Sequence, residues 1–248
     1  MFKPLKFVFI AALLFFASCS SVYVPNVPNT PMLSSQGEFS GGAHINLKGD
    51  ANFNGAYAVS NHIGVLLGGA LMKDERTSKD IRRKQVEAGM GYFNTFGPDR
   101  NRILEIYAGI GTGSANRTYR DYDDGKLIST ELQEVNYSKT FLQVNYSSKK
   151  NRNFHLFGNN YPLNYGTALR ISHVSMGTFL INGIGQPKED NIFLEPVFFT
   201  RMRLSKAVQL QYTTSYNLGL KNRKYMTAGN SIFSVGAVIN VGGLKKKD

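Results

Sequence analysis

The sequence predicts an all-β protein: an up-and-down antiparallel β-barrel of ten strands, of the outer-membrane type. Three observations predict it. Apolar and polar residues alternate with period two along most of the chain, and helical periodicity is almost absent. The alternating segments run mostly to 9–14 residues. That exceeds the roughly 5–6 usual in soluble sheets and approaches the ~9–11 that a tilted strand needs to cross a bilayer. The segments also number ten, an even count, as bacterial outer-membrane barrels have.

Composition excludes several alternatives. The chain has 248 residues, 42% hydrophobic and 12% aromatic, too apolar for disorder and enough for one sizeable domain. One Cys and four His leave no disulfide framework and no multi-Cys metal site, so no metal or other cofactor is expected. A formal charge of +12 directs attention to anionic partners.

Residues 1–18 carry Lys3 and Lys6 ahead of the apolar run Phe7 to Phe16. That is the order of a secretory signal peptide, too short to span a bilayer comfortably. Phe16-Ala17-Ser18-Cys19 resembles a bacterial lipobox, with Phe16 where Leu is more usual. The resemblance implies that Cys19 is acylated, palmitate included, and becomes the first residue after cleavage. Two or three acyl chains anchor stably, since each buried CH₂ contributes roughly 0.8 kcal/mol. Residues 19–36, with Pro25, Pro28 and Pro31 three apart among Asn and Ser, read as an extended lipidated tether. The barrel is expected over 37–243 and a basic tail over 244–248.

The ten strands are expected at about 37–48, 51–60, 62–72, 84–94, 102–113, 134–147, 164–176, 191–204, 207–219 and 231–242. Val208, Leu210, Tyr212, Thr214, Tyr216 and Leu218 share one face, against Gln209, Gln211, Thr213, Ser215 and Asn217. The connections at one end (48–50, 73–83, 114–133, 177–190, 220–230) are mostly long, and those at the other mostly short. Long connections are external in outer-membrane barrels. Both chain ends, and the lipid anchor, are then expected on the periplasmic side of the outer membrane.

With the apolar faces turned to lipid, Glu38, Glu87, Glu105, Glu195, Lys139, Arg170, Arg201 and Arg203 point inward. Carboxylates and cations are expected to pair there into a polar network. Inward glycines such as Gly64, Gly89, Gly91, Gly109 and Gly113 are expected to make room for the long side chains. A narrow ten-stranded lumen favours a filled interior; a passive or selective channel is the alternative. Aromatics near segment ends are candidates for interfacial girdles: Tyr92, Phe93, Phe96, Tyr107, Tyr137, Tyr146, Tyr161, Tyr165, Phe198 and Phe199.

His173 and Ser175, two apart on one strand, resemble the His-x-Ser pair of outer-membrane lipid A deacylases, with Glu189, Asp190 or Glu195 as the orienting acid. The parity shared with Ile171 turns the pair toward lipid, so catalysis is not expected. Gly109, Gly111 and Gly113 lack the helix that a phosphate-binding loop needs. Asp121, Asp123 and Asp124 lack the final acid of a calcium loop. The basic runs Lys149–Arg152 and Lys245–Lys247 have no groove-reading helix beside them, so no nucleic acid is expected. Their expected partners are outer-membrane lipid and the anionic headgroups at the periplasmic rim.

Tyr23-Val24-Pro25-Asn26-Val27-Pro28-Asn29-Thr30-Pro31, then Gly37-Glu38-Phe39, and later Ala56 to Val65, are similar to a group of Bacteroidota lipoproteins. Those have outer-membrane-barrel-like bodies and no established activity. The resemblance implies a lipid-anchored barrel with a structural or surface-interaction role and supplies no catalytic residues.

Overall fold

The computed structural model describes residues 21–46, 49–156, 158–227 and 231–243. The signal sequence, Cys19 and the basic tail lie outside these residues.

Alternation of side chains makes each strand. β1 spans Glu38–Asn46, β2 Asp50–Ala58, β3 Ile63–Glu75 and β4 Lys79–Phe96. β5 spans Arg102–Asp123, β6 Lys126–Leu156 and β7 Asn159–Ile181. The two-residue β8 (Ile184–Gly185) closes a hairpin tip on β7. β9 spans Asp190–Arg203, β10 Val208–Ser215, the two-residue β11 Leu218–Gly219, and β12 Ile232–Gly242. Neighbours pair antiparallel throughout. β7 pairs directly with β9, β9 with β10, and β10 with β12. β12 then pairs with β1 from Glu38↔Gly242 to Asn46↔Ser234 and closes a ten-stranded barrel with no free edge.

β3 to β7 run longer than the alternation predicts, because their crown-end parts lose the period-two signal: residues 79–83 and 116–123 are almost wholly polar, and β7 ends on Phe179-Leu180-Ile181, apolar at consecutive positions. The expected long connection 114–133 is a hairpin whose two-residue turn is Asp124-Gly125, both at positive φ (45° and 78°). Asn182-Gly183 does the same between β7 and β8 (50° and 78°). Two left-handed residues match the right-handed twist of the flanking strands, which is why Asp-Gly and Asn-Gly serve there.

The barrel's outer wall is apolar from the short-turn end to about mid-height. On β3, Ile63, Val65, Leu67 and Leu71 face out; on β5, Leu104, Ile106 and Ile110. Nine residues at ~3.3 Å each, tilted ~40°, give a band about 23 Å tall, near the ~25 Å of outer-membrane barrels. Beyond Ile110 the outward positions of β5 are Thr112, Ser114, Asn116 and Thr118. Long hairpins therefore rise past the band as a polar crown at one end. At the other end the connections 59–62 and 204–207 are tight, 97–101 makes one short turn, and among the described residues the β6–β7 pairing extends furthest.

Candidate functional site in the barrel lumen

Residues 21–33, expected to form an external tether, run through the lumen. Val22, Tyr23, Val27, Met32 and Leu33 are all buried. The physical reason is that the segment holds no charged side chain and many amides and carbonyls, which a polar lumen can bond.

The direction of travel is fixed by contacts at both ends. At the crown end, the Val22 amide donates to the Tyr225 carbonyl (2.9 Å). Tyr23 packs against Tyr137 and Phe193 (ring centroids 5.6 and 4.9 Å) within an apolar cluster that includes Val135, Val174, Phe179 and Met226. Residues 216–227 fold inward to complete this cap. The Lys224, Tyr225 and Met226 amides donate to the Glu189 carboxylate (2.8–3.0 Å). At the short-turn end, the Ser34 amide and hydroxyl donate to Glu38 (both 2.6 Å), and the Gly37 amide donates to Ala58 (2.9 Å). An extended chain at ~3.1 Å per residue covers about 34 Å from Val22 to Leu33, close to the ~30 Å hydrocarbon thickness of a bilayer. The two ends of the described chain, Ser21 and Gly243, thus lie at opposite ends of the barrel, not at one.

The inward charges meet this segment. Glu87 is the centre of a buried triad, 2.6 Å from Lys139 Nζ and 3.0 Å from Arg170 Nη2. Arg170 is 0% exposed, donates to Gln143 (2.7 Å) and lies over the Phe141 ring. Lys139 also donates to Asn26 of the segment (3.1 Å). Glu105 accepts from the Leu33 amide (3.0 Å), Tyr107 hydroxyl (3.1 Å) and Asn145 amide (3.1 Å). Glu195 accepts from the Tyr23 hydroxyl (3.0 Å). Arg201 donates to Gln211 (2.6 Å) and to the Thr30 and Pro31 carbonyls. Gln143 donates to the Asn29 carbonyl (2.6 Å), and the Val27 amide to Asn52 (2.9 Å).

Four acids and four bases were expected to satisfy one another. Glu87 does so with both Lys139 and Arg170. Glu105, Glu195 and Arg201 take partners from the segment instead. Glu38 and Arg203 lie at the short-turn mouth, away from the central triad.

Several inward glycines make room for rings or for the segment as well as for charged side chains. A Cβ at Gly113 would sit 2.4 Å from the Tyr137 hydroxyl, and one at Gly64 2.7 Å from Leu33. Phe93, Tyr107, Tyr137 and Phe199, offered as girdle residues, are buried in the lumen, while Tyr92, Phe96, Tyr146, Tyr165 and Phe198 are exposed outside. His173 faces outward and lies 3.2 Å from Asp190, which also pairs with Lys221 and Arg223. Among the described residues no hydrogen bond joins His173 to the Ser175 hydroxyl, so the nucleophile is not assembled with its base.

No family model matches the chain, and no curated protein matches it. Among solved structures, the translocator domain of autotransporter NalP from Neisseria meningitidis has a TM-score of 0.51 at 12% identity. The likeness covers 84% of this chain and 86% of that one. A bacterial polysaccharide outer membrane secretin scores 0.29 at 7% identity, over 86% of this chain and 100% of that one. The siderophore receptor PirA from Pseudomonas aeruginosa scores 0.22 at 11%, over 84% of this chain and 41% of that one. The first likeness shows the fold, a closed antiparallel ten-stranded barrel of the outer-membrane kind; the other two scores are too low to bear on it.

Proposed function

We propose that this chain is a lipid-anchored outer-membrane barrel closed by its own N-terminal segment, with a structural or surface-interaction role carried by the crown of hairpins. The observation that carries the reading is the passage of residues 21–33 through the lumen, where they supply partners to Glu105, Glu195 and Arg201. An occupied lumen with an apolar cap speaks for a closed barrel over a passive channel.

The same passage moves the proposed anchor. The segment enters from the crown end, and Cys19 precedes Ser21 by two residues, a reach of at most ~7 Å. A polar crown above an apolar band is the outer-face arrangement of outer-membrane barrels. Acylated Cys19 then belongs to the outer face, opposite to the periplasmic side that loop lengths and chain ends first suggested.

Epitope tags test this in intact cells: one between Cys19 and Ser20, one in the Asn182-Gly183 turn of the crown, one at Asn61 of the short-turn end. The reading expects antibody to reach the first two without permeabilisation and not the third. A Cys19 tag that behaves like the Asn61 tag refutes it.

A further inference from the structure

At the short-turn mouth the barrel holds a cavity of about 370 Å³ that the segment borders but does not fill, away from the central triad. Among the described residues its lining includes the cations Lys149, Arg203 and Lys206 and the acid Glu38, beside the amides of Asn164 and Gln209. Glu38 is already engaged by the Ser34 amide and hydroxyl. Lys149 donates to the Ser34 hydroxyl (2.9 Å), a neutral partner. Asn164 and Gln209 are 6% and 7% exposed, yet each has an amide oxygen with no partner among the described residues. Buried amide groups without partners are uncommon in a folded protein and call for a reason. Rotation of an amide exchanges its oxygen and its NH₂, so both can present donors to a ligand.

We propose that this cavity is a binding site for a phosphate group. Among the described lining residues cations outnumber acids, a balance that suits the roughly −1.5 to −2 of a phosphate monoester near neutral pH. Arg203 suits a forked contact to two phosphate oxygens, and the lysines serve as point charges. The volume is at the lower end of small-ligand pockets, so it accommodates the phosphate with a short organic stem. Two sources share this chemistry: a soluble phosphate ester, or the headgroup of a lipid at the membrane rim. Pro31 and Leu33 of the lumen segment also line the cavity, and Ser34 ties Lys149 to Glu38 there. Ligand binding and the seating of the segment are therefore coupled. The inference stands on the cavity alone and does not depend on which face of the membrane the crown meets.

The test is titration calorimetry of the full chain in neutral detergent, with inorganic phosphate, glycerol 3-phosphate and dihexanoyl phosphatidic acid as probes at constant ionic strength. At least one probe should bind saturably, and Lys149→Gln with Arg203→Gln should weaken it about tenfold or more. Equal binding of glycerol 3-phosphate and the short-chain lipid supports a soluble ester; binding of the lipid alone supports a headgroup. Heat-modifiable gel mobility of the double variant shows that the barrel persists. The single variant Lys206→Gln, in an exposed turn, should weaken binding by less. Three results would overturn the proposal: no saturable binding of any probe, binding unchanged in the double variant, or succinate matching phosphate.

Discussion

Replacing Glu87 by Gln measures how dry the lumen is. The carboxylate is 6% exposed and lies within ion-pair distance of Lys139 and Arg170, themselves 4% and 0% exposed. Gln keeps the shape and one acceptor oxygen, so the loss is mainly that of the charge. In a closed, water-poor interior, removing one partner of a buried pair costs about 3–5 kcal/mol, because the remaining charges are stranded. In an open, hydrated channel the same pair would behave like an exposed one, worth about 0–1 kcal/mol. The two readings differ by roughly two orders of magnitude in the unfolding constant, at ~1.4 kcal/mol per tenfold. The assay is the urea concentration at which heat-modifiable gel mobility and β-sheet circular dichroism are lost, since the chain has no Trp to report. Glu87→Gln should unfold at clearly lower urea. Adding Lys139→Met should return at least ~1 kcal/mol, since one stranded cation is gone while its apolar stem remains. A Glu87→Gln chain that unfolds within ~0.5 kcal/mol of the parent, with strictly additive effects in the double variant, would refute the closed-lumen argument.

Three other perturbations address the segment and its cap. Joining Ser20 directly to Ser34 removes residues 21–33; the full chain should be silent in planar bilayers and the shortened one should show current steps. Silence in both would mean that barrel side chains alone close the lumen. Gly64→Ala places a Cβ 2.7 Å from Leu33 and 3.2 Å from the Tyr107 hydroxyl, and should cost about 1–3 kcal/mol in urea unfolding. Leu33→Ala in the same chain should relieve the clash, and the absence of any such coupling would place Leu33 elsewhere. Asp190 lies beyond the apolar band, where Lys221 first, then His173 and Arg223, hold its carboxyl well below the usual carboxylate range. A depressed folded value means its stabilisation is complete above the ordinary Asp value of ~3.9 and is lost only as pH falls through the folded one. Amide exchange in residues 216–227 should therefore stay slow at pH 5 and quicken only in strong acid, whereas Asp190→Asn should speed it, and tryptic cleavage at Lys221, already at neutral pH.

The strand register was legible because a closed barrel turns each side chain either to lipid or to lumen. Val208 to Asn217 and Phe233 to Val241 alternate in the structure as they do in sequence. The same parity places Tyr107 with Glu105, and Tyr137 with Lys139, on the inward face, so those aromatics could have been removed from the girdle by that rule. The crown-end parts of β4 to β7 were not legible from alternation, since there the outward face meets water while part of the inward face meets the apolar cap, and neither keeps a clean period-two pattern. Their signal lay in Asp124-Gly125 and Asn182-Gly183, which mark two-residue turns and hence continuous hairpins. The lumen segment was hidden for a different reason. Proline-rich, extended sequence looks the same in water and in a polar tube. Its distinguishing mark is composition: from Ser20 to Gly37 there is no charged residue, while Tyr23, Val27 and Leu33 are larger and more apolar than a tether needs.

The threaded segment also constrains how the barrel can form. Residues 21–33 and β1 are one continuous chain, and β1 is sealed to β12 by nine paired positions. On the reading proposed here, the N-terminal end carries two or three acyl chains. Such an end cannot be drawn through a closed lumen in which Arg170, Tyr107 and Phe193 are fully buried. The β1–β12 seam must therefore close last, around a segment already lying in the trough formed by the other strands. Asn26, Asn29 and the Thr30 carbonyl then act as a template. The Asn26 side chain and the Asn29 and Thr30 carbonyls offer partners to Lys139, Gln143 and Arg201 from β6 and β9, and the Asn29 side chain donates to the Gly55 carbonyl of β2 (2.6 Å), before the seam is shut. A pair of cysteines at Ser40 and Asn240, whose side chains are hydrogen-bonded across the seam (2.8 Å), reports closure. In refolding from urea, that disulfide should form after protection of the β5–β6 amides appears, and more slowly when Asn26 and Asn29 are both changed to Ala. Cross-linking that precedes β5–β6 protection, or that is unaffected by the two substitutions, would show that the barrel closes without its segment in place.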